Sequence, residues 1–206
     1  MKVAVVGGTG DFGLALAGRL AEAGVEVTIG SRDADRARAK AAEAGAASGA
    51  ANEDAVRGVD LVVLATNADA ALATAESLAA AIGATPVLSV ASELRFAKEG
   101  VQPGADARSL AERTQAVLQG PVAAGLHSLA AASLAKGPAD GDALVCGDDP
   151  DAKALALELA AAVVTGRAFD AGPLASARAL EGLTAVIVNL NKRYRGHAGV
   201  RVTGLP

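Results

Sequence analysis

An α/β fold built on a mostly parallel, doubly wound sheet, with a small C-terminal helical portion, is predicted by three observations. Short, continuously apolar runs alternate with helix-forming stretches along almost the whole of the 206 residues. The first such run passes directly into a glycine turn and a helix, KVAVV (2–6), GGTGDFG (7–13) and LALAGRLAEAG (14–24). The last long helix, ASARALEGLTAVIVNLNKRY (175–194), is apolar over more than one stripe, so it packs on the sheet and on something else.

Taken in order, KVAVV is a strand buried on both faces, as central parallel strands are. The turn carries G-x-G-x-x-G on Gly8, Gly10 and Gly13. Between a strand and a helix, with a second strand VEVTI (25–29) following, that spacing predicts a Rossmann-type dinucleotide site. Gly8 is expected to let the chain turn at the strand end, Gly10 to let the backbone approach a pyrophosphate, and Gly13 to bring the helix close to the first strand. Free N–H groups at the helix start would meet the pyrophosphate. Asp11 at that start has a second reading, as a cap for its own helix.

The second strand ends in Gly30, Ser31 and Arg32, where an NAD site usually places Asp or Glu on the ribose hydroxyls. Without the acid there is no repulsion toward a 2′-phosphate. Arg32 supplies a charged fork, Ser31 a compact donor, and Arg36 a second positive group one turn into the next helix. NADP(H) is therefore the expected coenzyme. Asp33 is read as the cap of helix 34–45, against the alternative that it mimics the missing acid.

A brief strand or turn and a short helix near 52–57 lead to LVVLAT (61–66), another buried parallel strand. Its exit, Ala65, Thr66 and Asn67, lies at the same carboxyl edge as the glycine turn. These residues either border the nicotinamide or merely start helix 68–83. PVLSVAS (86–92) is the next strand, and 93–104, the least patterned segment, reads as a surface loop. Helix is expected over 106–120, strand and exit over 121–128, a short helix over 129–136, and strand over 142–147. Asp149 and Pro150 open a capped helix at 148–164, and 168–174 is a short strand and turn. The tail, 195–206, is expected to fold back as a strand. Alternation continues past Gly120, so one extended sheet is expected, with 1–122 as the NADP-binding domain and 123–206 as a C-terminal extension.

Hydrophobic residues make 51% of the chain but aromatics only 2%, which predicts closely packed layers of alanine, valine and leucine and fits a core shared between two copies. The net charge of −4 is spread through interspersed acids and bases, which argues against nucleic acid. One cysteine excludes an internal disulfide, and two histidines leave little for a metal site. No secretory pattern opens the chain and no apolar run has membrane-spanning character, so a soluble cytoplasmic protein with no membrane partner is expected. Neither G-x-S-x-G nor H-E-x-x-H occurs, and Cys146 sits in an apolar strand as inert core. Hydride transfer fits, because it needs two carriers held face to face and no protein nucleophile. His127, at a strand exit, has two readings: a ligand-facing group that donates a hydrogen bond to a ring carbonyl or nitrogen, or a structural histidine. His197 reads as a surface or interface residue.

Five stretches, VVGGTGDFG (5–13), IGSRDADRA (29–37), VCGDDPDAK (145–153), FDAGPLASAR (169–178) and LEGLTAVIVNLNKRY (180–194), resemble the reduced coenzyme F-420:NADP oxidoreductases, the 8-hydroxy-5-deazaflavin-dependent NADP reductases. HAGVRVTG (197–204) is similar to their terminal segment. The resemblance spans nearly the whole chain, and CGDD followed by DAGPL and EGLT is its most specific part. It implies small-molecule co-substrates, NADP(H) and coenzyme F-420, with hydride passing directly between deazaflavin C5 and nicotinamide C4. It also implies a homodimer whose C-terminal extension completes the deazaflavin site. By that pattern Thr9, Gly10, Asp11 and Phe12 border the pyrophosphate, and Ser31, Arg32 and Arg36 take the 2′-phosphate. Ala65, Asn67, Ala91 and His127 wall the two rings. The chain departs from the family at Thr66-Asn67, where a proline and a bulky residue are usual, and at Leu129 to Ala132, where I-P-A-A is usual. Both departures adjoin the ring pocket, so an NADPH-dependent flavin or ferric reductase, and a nucleotide-binding regulatory protein without turnover, stand as alternatives.

Overall fold

In the computed structural model, which describes residues 1–205, the glycine turn joins β1 (Lys2–Val6) to α1 (Asp11–Glu22). The elements β2 (Glu26–Ser31), α2 (Ala34–Ala44), β3 (Ser48–Ala51), α3 (Asn52–Ala55), β4 (Leu61–Leu64), α4 (Ala68–Ile82) and β5 (Val87–Ser89) follow. A hairpin of β6 (Leu94–Ala97) and β7 (Gly100–Pro103) precedes α5 (Leu110–Gln115), β8 (Val122–Gly125) and α6 (Ala131–Leu134). The chain ends with β9 (Ala143–Gly147), α7 (Pro150–Ala162), β10 (Ala168–Asp170), a 3-10 turn at Leu174–Ser176, and α8 (Ala177–Tyr194).

Eight strands form one sheet in the order β10-β9-β8-β5-β4-β1-β2-β3. Every pairing is parallel except β8 with β9. The expected extended sheet is therefore present, and β8, across the division drawn after residue 122, lies in its middle. Alternate side chains of β1 and β4 face opposite cores. Val3, Val5, Leu61 and Val63 meet Leu16 and Leu20 of α1 and Leu159 of α7. Ala4, Val6, Val62 and Leu64 meet Ala75, Leu78 and Ile82 of α4 and Leu180 of α8. Strands buried on both faces explain the unbroken apolar runs.

Four expectations are corrected. Residues 93–104 are not a loop but the hairpin, moored to α8 because Asn189 accepts from the Val101 N–H at 2.9 Å and donates to the Val101 carbonyl at 2.8 Å. The helix expected over 106–120 shrinks to α5, since Ser109 and Glu112 form a reciprocal capping box that fixes its start. The first helix begins earlier than residue 14, at Asp11. The tail does not pair as a strand; it runs along residues 140–142, with the Asp142 N–H donating to the Val200 carbonyl and Val202 N–H to the Asp142 carboxylate, both at 2.7 Å. As expected, Asp149 caps α7 by accepting from the Ala152 N–H at 2.8 Å, with Pro150 in the first turn.

Candidate functional site

The carboxyl ends of β1, β2, β4, β5 and β8 open on one edge, and the candidate residues gather there. The left-handed residue of the glycine turn is Gly7, at φ 82°, not Gly8. A Cβ on Gly8 would lie 2.8 Å from the Val5 carbonyl oxygen and 2.9 Å from the Ile29 side chain, so Gly8 is required by packing. A Cβ on Gly13 would lie 2.5 Å from the Gly7 carbonyl oxygen, which means the helix packs on the turn itself. Gly10 meets no such crowding from the protein. As the N-cap of α1 it offers no side-chain acceptor, which leaves the first-turn N–H groups to a ligand.

A cavity of about 290 Å³ extends from this turn, lined by Gly7, Thr9, Gly10, Ser31, Arg32, Arg36, Ala65 and Asn67 together with Asn52, Thr66, Ala70 and Thr74. Its charge is set by what Asp33 does. The Asp33 carboxylate accepts from the N–H groups of Asp35 and Arg36 at 3.0 and 3.1 Å, so it faces its own helix and is satisfied there. Ser31 Oγ accepts from the Asp33 N–H at 3.2 Å, which leaves its proton free to donate into the cavity. Among the described residues, neither Arg32 nor Arg36 has a carboxylate within 4.0 Å. Three donors therefore converge with neither arginine held in an ion pair. The missing acid also has a packing reason: a Cβ on Gly30 would lie 2.9 Å from Asn52 Oδ1, so the Asn52 side chain occupies that space.

A second cavity of about 210 Å³ adjoins the first across Ala65, Thr66 and Asn67 and is closed by Phe12, Ala68, Val90, Ala91 and Ser92. Its walls combine the Phe12 ring, Val90 and three alanines with Thr66, Asn67 and Ser92, and more of the wall that a ligand can touch is polar than apolar. It thus offers a flat ring both surface to stack on and polar groups to meet its edge. Thr66 Oγ1, common to both cavities, is buried without a protein partner, as is Asn52 Oδ1. Thr66 belongs to the strand exit read in the sequence as bordering the nicotinamide, whereas nothing in the sequence singles out Asn52 or Ser92 as a coenzyme contact. Asn67 sits at the N-cap position of α4 but makes no side-chain cap there, so its amide is available to the cavity.

The other candidates lie around these cavities. Gly8 and Gly13 are buried behind the turn. Asp11 is exposed and faces a separate hollow of about 560 Å³ between α1, α2 and α6. The charged lining of that hollow is Asp11, Glu22 and Glu43 against Arg19, which is already paired with Glu22, so it repels the phosphates of a nucleotide. His127 is only 6% exposed and does not wall the ring cavity; it stands behind Ser92, with Nδ1 3.1 Å from Ser92 Oγ. Burial pushes its pKa down to about 4, so the imidazole is neutral at pH 7. Leu126, just before it, adopts φ 65°, a strained value for a branched residue at the point where the strand turns out of the sheet. Burial pushes the Cys146 thiol up to about 12, in keeping with inert core. Glu181 of α8, 2% exposed, accepts from the N–H groups of Leu110 and Ala111 at 3.0 and 3.1 Å and so ties α8 to the start of α5. Burial raises its pKa, opposed by those two hydrogen bonds. Among the described residues no helix is long and apolar enough to cross a membrane, and no group of three His, Cys, Asp or Glu is placed to hold a metal ion.

Residues 2–93, which contain both cavities' principal walls, match the family model described as NADP oxidoreductase, coenzyme F420-dependent. Over its full length the chain is 40% identical to the F420-dependent NADP reductase of Methanothermobacter thermautotrophicus, covering 96% of that protein. It belongs to this family. The F420-dependent NADP reductase of Methanocaldococcus jannaschii is 33% identical over 100% of the chain and 99% of the relative. Among solved structures, a candidate F420-dependent NADP reductase from Arthrobacter sp. FB24 superposes with a TM-score of 0.84 at 27% identity, covering 100% of both chains. The family assignment thus extends past the matched segment into β8, β9 and α8, where the resemblance in the C-terminal motifs also lies.

Proposed function

We propose that this member of the F420-dependent NADP reductase family transfers hydride between NADP(H) and the 8-hydroxy-5-deazaflavin coenzyme F-420. The observation that carries the coenzyme choice is the convergence of Ser31, Arg32 and Arg36 on one cavity while Asp33 is engaged by its own helix. The residues present fit NADP(H): a cap without an acceptor at Gly10 for the pyrophosphate, unpaired cations for the 2′-phosphate, and buried orphan oxygens of Asn52 and Thr66 along the cavity. When bound, the two coenzymes supply the redox chemistry themselves, exchanging a hydride between nicotinamide and deazaflavin.

The chain's own residues position and shield. Thr9, Gly10 and the backbone N–H groups of Asp11 and Phe12 in the first turn of α1 border the pyrophosphate, while the Asp11 side chain faces the other hollow. The Arg32 fork with Ser31 and Arg36 holds the 2′-phosphate. Ala65, Ala91 and Phe12 give the rings a surface to stack on, and the Asn67 amide faces the same cavity, so the rings are held in place for transfer. A neutral, buried His127 is a positioning group, and no acid or base is needed. We assign 1–122 as the nucleotide-binding part and 123–206 as the part completing the deazaflavin site.

We place the protein in the cytoplasm as a homodimer. Val186, Leu190 and Tyr194 form an exposed stripe along α8 at 53%, 41% and 73% exposure, while Phe96 on the hairpin, 72% exposed, meets Lys192 of the same helix. Such a stripe at four-residue spacing is suited to a second copy. Anaerobic mixing of the purified protein with NADPH and oxidised deazaflavin tests the activity through loss of the deazaflavin absorbance band. FMN and ferric citrate run in parallel. Rapid bleaching of deazaflavin alone is expected; turnover of FMN without deazaflavin turnover overturns the reading.

A further inference from the structure

Ser92 Oγ lies 2.7 Å from Thr184 Oγ1 and 3.1 Å from His127 Nδ1, and Thr184 Oγ1 donates to the His127 carbonyl at 2.8 Å. Counting protons along this chain fixes every direction in it. A hydroxyl has one proton, and a carbonyl can only accept. Thr184 gives its proton to the His127 carbonyl, so in the Ser92–Thr184 contact Ser92 is the donor. The Ser92 proton is then committed, so His127 Nδ1 carries hydrogen and donates to Ser92. That leaves Nε2 as a bare lone pair on a neutral ring. Nε2 is buried without a partner, a tolerable state for an acceptor and a costlier one for an N–H.

Ser92 is the member of this chain that lines the ring cavity, just past the carboxyl end of β5. Its oxygen has one position left, and that position is a lone pair. We propose that Ser92 is a specificity-determining residue of the ring cavity: His127 and Thr184 lock its hydroxyl as a hydrogen-bond acceptor, so the cavity selects a ring edge that presents an amide N–H. This reverses the donor role anticipated for His127 and assigns the contact to its neighbour. The inference rests on the coenzyme pair proposed above, because both rings carry such a group: the pyrimidine N–H of the deazaflavin and the carboxamide N–H of the nicotinamide.

The test has one arm without coenzyme and two with it. Nitrogen-15 NMR of the free protein at pH 7 is expected to show His127 protonated at Nδ1 and bare at Nε2. Thr184→Val releases the Ser92 proton and is expected to erode that preference. In the binding arms, dissociation constants are compared for NADP+ against its 3-acetylpyridine analogue, which lacks the carboxamide N–H. Oxidised deazaflavin is likewise compared with its N3-methyl derivative. The wild type is expected to discriminate in one pair by roughly tenfold, the value of one neutral hydrogen bond. Ser92→Ala should reduce that ratio to about twofold or less, and the pair that responds identifies the ring. A bare Nδ1 in the wild type, or equal discrimination by wild type and Ser92→Ala in both pairs, overturns the proposal. Absence of deazaflavin binding overturns the functional reading instead, since the nitrogen spectrum and the nicotinamide pair are read without it.

Discussion

The two cavities lie side by side at one sheet edge, yet they are built in opposite ways. The phosphate end of the nucleotide cavity is assembled from neighbours in sequence: the turn at 7–10, a strand exit and the cap of the following helix, with Asp33 bonded to Ser31, Asp35 and Arg36, each no more than three residues away. The ring cavity is held by side chains that meet across long stretches of chain. Ser92 reaches Thr184 across 92 residues, Glu181 reaches Leu110 across 71, and Asn189 reaches Val101 across 88. In each of these the C-terminal partner is on α8. One coenzyme is thus recognised by local backbone geometry, and the other side of the cleft depends on the docking of a single helix. Substitutions on α8 should therefore cost stability, whereas substitutions in the turn-and-exit region should cost coenzyme affinity.

The sharpest test of that contrast is Glu181→Ala. It leaves two buried N–H groups at the start of α5 without an acceptor, a loss of about 4 kcal/mol at one to three for each orphan. Urea denaturation at pH 7 should show it, and Glu181→Gln, which keeps an acceptor for one N–H but turns an NH2 toward the other, should lose about half as much, about 2 kcal/mol. Equal and small losses for both would separate α8 from the stability of the fold.

Next in size is a pH effect from His127. Its pKa falls from 6.5 in the unfolded chain to about 4 in the folded protein, so the unfolded state binds the extra proton first. Stability from this group is complete above pH 6.5 and is lost as pH falls toward 4, by roughly 3 kcal/mol. His127→Phe should flatten the stability profile over that window. A variant with the wild-type slope would move the acid sensitivity to another group.

Arg32→Ala probes the other cavity. Removing one charge-assisted contact to a 2′-phosphate should raise the KM for NADPH roughly thirtyfold, about 2 kcal/mol, with little change for NADH and no loss of stability. Equal losses with both coenzymes would take Arg32 off the phosphate.

What could be read in the sequence follows the same division. β1, β4, β9 and the cap of α7 were legible because burial on both faces leaves unbroken apolar runs and because Asp149-Pro150 is a local signal. The Ser31-Arg32 exit was legible because the choice between ribose hydroxyl and phosphate is written in adjacent residues. In the glycine turn the sharp turn expected of Gly8 falls to Gly7 at positive φ, while Gly8 is held to glycine by its packing against Val5 and Ile29. The hairpin was illegible: each strand has only four residues, the first is mostly exposed and the second carries one buried side chain, Val101, and their anchor, Asn189, lies in α8. Ser109 and Glu112, three residues apart, did carry a readable capping box that would have shortened the helix drawn over 106–120. Nothing local marks Ser92 or Asn52, because each matters through a partner or a cavity formed only by folding.

Asp33→Ala carries the smallest effect and separates the two meanings of the one acid near the phosphate subsite. As a cap it satisfies two N–H groups of α2 and faces away from the ligand. Its loss should cost about 1 kcal/mol of stability while leaving the KM for NADPH within about twofold. Because its carboxylate lies close to Ser31 and Arg36, a modest fall in the NADPH KM would still agree with a cap whose charge repels the phosphate slightly. A selective rise in the KM for NADH is the contrary result: it would mean that Asp33 turns toward the ribose and serves as the acid that Gly30 has no room to be.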